Sequence, residues 1–261
     1  MVKIFLDPGH GGSDPGAVGN GIQEKDITLA IATRIKNLLA KYNVEVKMSR
    51  TSDTFPSLSD RTNAANAWGA TFFMSVHVNS GGGTGFETFV YPGSGAPTTT
   101  YQNLIHAEIM KLLDFNDRGK KQSNLHVLRE SNMPAILTEN GFIDNATDAA
   151  KLKNGAYLDK IAQGHVNGLV KAFGLTLKNI AVSEEEAADN KLYRVTTGTF
   201  KDVDSQKQAI KNLLTLFKNA YPYDTNGLRA ITGTFVGKAS AETAAAKIKA
   251  KFGYLTYIKA E

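Results

Sequence analysis

Short apolar runs alternate with amphipathic stretches through the first two thirds of the chain, and this alternation limits its fold more than any other feature. Residues 2–6 read as a buried strand running into the turn Pro8-Gly9-His10-Gly11-Gly12. Ile27, Ala30, Ile31, Ile35, Leu38 and Leu39 then recur at helical spacing, with Asp26 as the expected cap. Residues 44–48 alternate as a half-exposed strand, Ser59-Asp60 opens a helix that reaches Trp68, and residues 72–78 form a further buried strand. After Gly81-Gly82-Gly83 come a strand at 86–90, a helix at 100–114, a core strand at 135–138 ending in Glu139-Asn140-Gly141-Phe142, and a helix at 157–173 stopped by Gly174. The pattern predicts an α/β domain over residues 1–176, a mostly parallel twisted sheet with helices on both faces. At 42% hydrophobic residues the chain can fill such a core.

The pattern breaks at residues 177–190, whose Ser183-Glu184-Glu185-Glu186-Ala187-Ala188-Asp189-Asn190 reads as an acidic linker. Beyond it, Thr-Gly-Thr-Phe ends a strand twice, at 197–200 and 232–235, each time with a helix downstream (205–217 and 240–252). Two copies are too few for a solenoid. With a closing strand at 254–259 they predict a small α+β module of two βα-type halves over residues 191–261. Charge divides at the same place: residues 1–175 carry 17 Lys/Arg against 16 Asp/Glu, whereas residues 191–261 carry 12 against 5, a surplus of seven.

The chain has no cysteine, which excludes a thiolate nucleophile and leaves His and carboxylate as the only strong metal ligands. Three such residues fall where the carboxyl edge of the sheet gathers side chains: His10 after the first strand, Glu24 before the first helix and His77 at the end of the third strand. A His/His/Glu set leaves a tetrahedral position open, as catalytic zinc requires. By pattern alone, each imidazole reads equally as a hydrogen-bonded core residue, and Glu24 as a charged helix start. Glu139 is held by the backbone of a buried strand at the cleft rim, where a general acid/base is needed; otherwise it is a strand-end carboxylate capping a loop. His106 and His165 lie in amphipathic helices and read as surface residues, and His126 is placed to face the cleft. Asp7 and Asn79 are candidates either to orient the ligands or to stabilise turns.

Asp7-Pro8-Gly9-His10-Gly11-Gly12, Glu24-Lys25-Asp26, Ser75-Val76-His77-Val78-Asn79 and Glu139-Asn140-Gly141-Phe142 resemble, in order and with none missing, the motifs of the zinc-dependent N-acetylmuramoyl-L-alanine amidases (amidase type 3), nearest the Bacillus sporulation autolysins and phage endolysins. The resemblance spans residues 2–175. It implies that His10, Glu24 and His77 bind Zn²⁺ and that Glu139 is the catalytic acid/base. It also implies that zinc-activated water cleaves the amide between N-acetylmuramic acid and L-alanine of the peptidoglycan stem. Asn140 departs from the motif, which usually has an apolar residue there. The repeat at 191–261 resembles a SPOR-type peptidoglycan-binding module, and its positive charge suits a polyanionic wall.

Two rival functions remain on these residues, a zinc peptidase cutting within the stem peptide and a catalytically idle wall-binding protein. No basic stripe interleaved with aromatics points to nucleic acid. No run approaches the roughly 20 apolar residues of a membrane span. The N-terminal apolar run is too short for a signal-peptide core. The expectation is therefore a monomer bound to neither nucleic acid nor membrane, which meets bacterial peptidoglycan outside the cell or in the wall after lysis or through a phage-made membrane hole.

Overall fold

The N-terminal apolar run is buried because it pairs on both edges. In the computed structural model, which describes residues 1–178, 191–217, 219–223 and 228–261, it becomes β1 (Val2–Pro8), a central strand parallel to both of its neighbours. The chain divides into two compact units, Met1–Lys178 and Asn179–Glu261. In the first, β1 is followed by the hairpin β2 (Val18–Gly19) and β3 (Ile22–Gln23), α1 (Glu24–Leu39), β4 (Val44–Met48), α2 (Leu58–Trp68) and β5 (Phe72–Asn79). Next come β6 (Phe86–Val90), α3 (Thr98–Met110), β7 (Asp117–Gln122), α4 (His126–Arg129), β8 (Ala135–Phe142), α5 (Ala146–Leu152) and α6 (Gly155–Phe173).

The strand order is β4-β1-β5-β8-β6-β7. The first four strands are mutually parallel, whereas β6 runs antiparallel to β8 and parallel to β7. The sheet is thus mostly parallel and covered on both faces. Ile31, Ile35 and Leu39 of α1, Ile105 and Ile109 of α3 and Ile161, Val166 and Leu169 of α6 share one core with Ile4, Leu6, Phe72 and Met74. Phe5, Phe73 and Leu137 point to the opposite face and pack with Ala65 of α2 and Val127 and Leu128 of α4. This is the period-2 alternation of a sheet buried on both sides.

Two histidines depart from expectation. His106 and His165, read as surface residues, are buried at 4% and 0% exposure. The cause is close helix packing: a Cβ at Gly168 of α6 would stand 2.6 Å from the Cα of Ile105 in α3, so the glycine lets α3 and α6 meet. Their polar atoms are satisfied there. His165 Nδ1 lies 2.8 Å from the Ile161 carbonyl, which can only accept, so Nδ1 carries the proton and Nε2 faces Thr138 Oγ1 at 3.1 Å. His106 bridges Thr88 and Asp117.

The first helix also starts earlier than its pattern implies. Its first residue is Glu24, and Gln23 makes no side-chain cap, so Asp26 lies inside the first turn. Likewise β8 extends through Glu139 to Phe142. Of the segment read as a linker, Leu177 and Lys178 fasten back onto the first unit through a bridge to Tyr42 and a bond to the Lys41 carbonyl, and residues 179–190 lie outside the described residues.

In the second unit β9 (Leu192–Thr197), α7 (Val203–Leu214), β10 (Ala220–Tyr223), β11 (Arg229–Thr232), β12 (Phe235–Val236), α8 (Lys238–Phe252) and β13 (Thr256–Ala260) form an antiparallel sheet with both helices contributing to one core. The repeat has a structural counterpart. Thr197 Oγ1 accepts from Ala230 N at 2.9 Å and Thr232 Oγ1 accepts from Val195 N at 3.1 Å, a reciprocal pair joining the two halves.

Candidate metal centre

The turn after β1 is shaped by what it must avoid. Gly9 can carry no side chain, since a Cβ would lie 2.3 Å from Cε1 of His77. His10 then takes φ 60°, a left-handed conformation that costs a non-glycine residue energy and persists only when its surroundings hold it. Two buried arginines hold it. Arg61 donates to Asp7 Oδ1 at 2.7 Å and to the carbonyls of Pro8 and His10 at 2.8 Å each. Arg50 donates to the carbonyls of Pro8 at 3.1 Å and Gly9 at 2.9 Å.

The His10 ring is aimed by Asp14, whose Oδ2 lies 2.8 Å from Nδ1. A carboxylate only accepts, so Nδ1 carries a proton, and it is Nε2 that the ring turns toward the other donors. That nitrogen faces Glu24 Oε2 at 3.1 Å, and His77 Nδ1 lies 2.9 Å from Glu24 Oε1. Glu24 is buried, with Ala17 N donating to Oε2 and Val78 N to Oε1. One donor atom from each of His10, Glu24 and His77 lies within 4.8 Å of the others. Burial favours the neutral form of Glu24, but hydrogen bonds from His10 and His77 outweigh it and hold the carboxyl well below the usual range. Burial likewise opposes charge on His10, and Glu24 and Asp14 outweigh it to raise the imidazole pKa.

These residues could hold a metal ion. Two imidazoles and one carboxylate are a donor set of the zinc type, and no cationic side chain among the described residues bonds to theirs. Gly16 closes the cradle, since a Cβ there would stand 2.6 Å from His10 Cδ2 and 2.7 Å from Glu24 Oε2.

Glu139 stands directly opposite His77 in the parallel pairing of β5 with β8. Its Oε2 is buried without a hydrogen-bond partner. Burial, reinforced by the negative charges of Glu24 and Glu87, raises its pKa well above the ordinary carboxyl value, which suits a group that must hold a proton near neutrality. Asn140, at the position where the motif departs, is fully buried and donates to the His77 carbonyl at 3.0 Å, tying β8 to the strand that carries the imidazole. A cavity of about 380 Å³ is lined by His10 and His77 together with Phe55, Leu58, Leu125 and His126.

The structure thus brings His10, Glu24, His77 and Glu139 to one edge of the sheet and sets His126 in the cavity wall with a buried, unpartnered Nε2. The two suggested ligand-orienting residues lie elsewhere. Asp7 accepts from Ser49, Arg61 and Ser75, so it anchors the arginine that pins the turn, and Asn79 donates to Glu87. The direct partner is Asp14, which the sequence reading missed although a carboxylate four residues past His10 in a glycine-rich turn is a legible signal. Arg50 and Arg61 left no such signal, because their partners are backbone carbonyls distant in the chain.

The family model for N-acetylmuramoyl-L-alanine amidase matches residues 4–171. A sporulation-specific N-acetylmuramoyl-L-alanine amidase of Bacillus subtilis (strain 168) is 58% identical over 203 residues, covering 77% of this chain and 76% of the relative. An endolysin of Bacillus phage SPP1 is 45% identical over 183 residues, covering 67% of this chain and 68% of its own. Among solved structures, the catalytic domain of CwlV, an N-acetylmuramoyl-L-alanine amidase from Bacillus (Paenibacillus) polymyxa var. colistinus, superimposes with a TM-score of 0.65 at 32% identity, over 67% of this chain and 100% of that one.

Proposed function

Because the chain belongs to the N-acetylmuramoyl-L-alanine amidase family, we propose that it cleaves the amide joining N-acetylmuramic acid to L-alanine of the peptidoglycan stem, with His10, Glu24 and His77 holding Zn²⁺ and Glu139 acting as general acid/base. The observation that carries this reading is the placement of the partnerless Glu139 Oε2 one strand away from His77, beside three donor atoms that lie within 4.8 Å of one another. Zinc held by His10, Glu24 and His77 would supply Lewis acidity at this end of the sheet. Glu139 would take up the proton of the attacking water and deliver it to the departing L-alanine nitrogen, and its raised pKa suits both transfers. Asp14 holds the tautomer and tilt of His10, while Arg61 and Arg50 hold the backbone beneath it.

In the same reading the unit beyond the linker is a SPOR-like wall-binding module and residues 1–176 are the catalytic domain. The surplus of seven positive charges over residues 191–261 supports this role, since the wall carries phosphates and carboxylates.

Glu139→Gln tests the chemistry. The amide is nearly isosteric and cannot exchange the proton, so the variant is expected to bind a full complement of zinc while turnover falls about 10²-fold or more. Wild-type wall clearing by the zinc-loaded variant would remove Glu139 from this role. Mass spectrometry of the digest separates the rival peptidase: the amidase frees the amino group of L-alanine, whereas a peptidase leaves it acylated.

A further inference from the structure

A second buried carboxylate lies beside Glu139, on the strand away from His77. In the antiparallel pairing of β6 with β8, Glu87 stands directly opposite Glu139, so both side chains leave the same face of the sheet. Glu87 is 3% exposed and its carboxylate is fully engaged: Asn79 Nδ2 donates to Oε1 at 2.7 Å, Arg118 Nε donates to Oε2 at 2.8 Å, and Lys121 Nζ bonds the same oxygen. One buried carboxylate therefore faces two cations, and a positive charge is left over. The Arg118 guanidinium is further fixed over the Phe142 ring, with Cζ 4.8 Å from the ring centroid. Only its Nε is spent on Glu87. Its two Nη groups have no hydrogen-bond partner among the described residues, and the side chains of Arg118 and Lys121 are 32% and 38% exposed. A guanidinium immobilised through Nε and stacked on one face presents its open edge in the geometry that a carboxylate accepts bidentately.

We propose that Arg118 and Lys121 form a carboxylate subsite that reads the stem-peptide residue following L-alanine, a proposal that rests on the amidase reading above. The spacing agrees with this assignment. β7, which carries both cations, lies two strands from β8, or about 10 Å at the usual strand separation of about 4.8 Å. An extended peptide advances about 7 Å over two residues, and the long Arg and Lys side chains span the difference. A substrate whose scissile amide lies at Glu139 therefore brings a carboxylate two residues along to the open Nη edge, where the surplus charge is neutralised. The role is one of affinity and positioning, since neither cation reaches the reacting atoms.

The test compares two soluble muropeptides differing only at the residue after L-alanine, one with its free carboxylate and the other with the carboxamide, each hydrolysed by the full-length, zinc-loaded chain. The wild type is expected to show a KM lower by at least about tenfold for the acid, the worth of one charge-assisted hydrogen bond. Arg118→Gln and Lys121→Met, each leaving Glu87 one cation, are expected to raise KM for the acid toward that for the carboxamide while leaving KM for the carboxamide unchanged. Equal KM for the two substrates in the wild type overturns the subsite alone. Variants that raise KM for both substrates alike also overturn it, because they reveal a purely structural network. Cleavage of neither by the wild type overturns the amidase reading, and the subsite with it.

Discussion

At the scale of single residues, the site depends on groups that touch the candidate ligands rather than only on the ligands. Asp14 bonds His10 Nδ1 at 2.8 Å and also accepts from Gly16 N at 3.0 Å, so it aligns the imidazole and the turn together. Asp14→Asn keeps the size and loses the charge, and it is expected to weaken zinc binding about 10- to 100-fold, read by competition with a chelator. An unchanged zinc affinity would leave Asp14 only a turn-forming role. A second residue sets the acid tolerance of the fold. Complete burial pushes the His165 pKa down to about 4 from 6.5, so between those values the unfolded chain takes up a proton that the folded chain refuses. Stability attributable to neutral His165 is thus full above pH 6.5 and is lost as pH falls toward 4, by about 3 kcal/mol at about 1.4 kcal/mol per pH unit. Urea unfolding of wild type and His165→Gln across this range should give a shallower pH dependence for the variant, and identical slopes would refute the assignment. The role of His165 was not legible beforehand: an imidazole in an amphipathic helix pattern carries no mark saying whether its stripe faces solvent or sheet.

At the scale of elements, periodicity identified the longer strands and helices that have an apolar face, missed the short α4 and α5, and failed where no face is apolar. The polar strand β7, Asp-Arg-Gly-Lys-Lys-Gln, lies at an edge of the sheet and buries no residue fully, so no hydrophobic alternation announces it. The start of α1 was misplaced for a related reason. Its first residue, Glu24, turns its carboxylate away from helix-capping work toward the imidazoles, and the helix goes without a side-chain cap. The pairing of α3 with α6 rests on glycine. Gly168→Ala would place a methyl 2.6 Å from the Cα of Ile105, backbone that cannot swing aside, and overpacking of this kind costs about 1–3 kcal/mol against about 1 kcal/mol of gained helix propensity. The expected net result is a lower thermal midpoint. Gly155→Ala in the same helix meets nothing nearer than Arg34 Nη2 at 3.8 Å and is expected to be neutral or stabilising. Equal midpoints for the two variants would show that close approach at Gly168 is unimportant.

At the scale of the molecule, the candidate ligands and Glu139 all belong to the unit Met1–Lys178, and the repeat with its positive surplus belongs to the other. A fragment of residues 1–178 is expected to hydrolyse soluble muropeptides like the full chain but to clear intact walls more slowly, because tethering raises effective concentration only on an insoluble substrate. Isolated 191–261 should pellet with walls and be released by salt. A fragment equally active on both substrates, together with a 191–261 piece that stays in solution, would end the targeting role. Among the described residues no helix is long and apolar enough to cross a membrane. The linear sequence by itself determined the order of the longer strands and helices, the small-residue turn after the first strand, the placing of candidate His, Glu and His donors beside strand and helix ends, and the division of charge, since each is written in local spacing and composition. Only the tertiary structure decided which polar group meets which: Asp14 rather than Asp7 at His10, Arg61 beneath the turn, and Glu87 with its two cations beside Glu139. Those pairings follow from the strand order β4-β1-β5-β8-β6-β7, which joins segments distant in the chain, and periodicity along one segment carries no information about which segment becomes its neighbour.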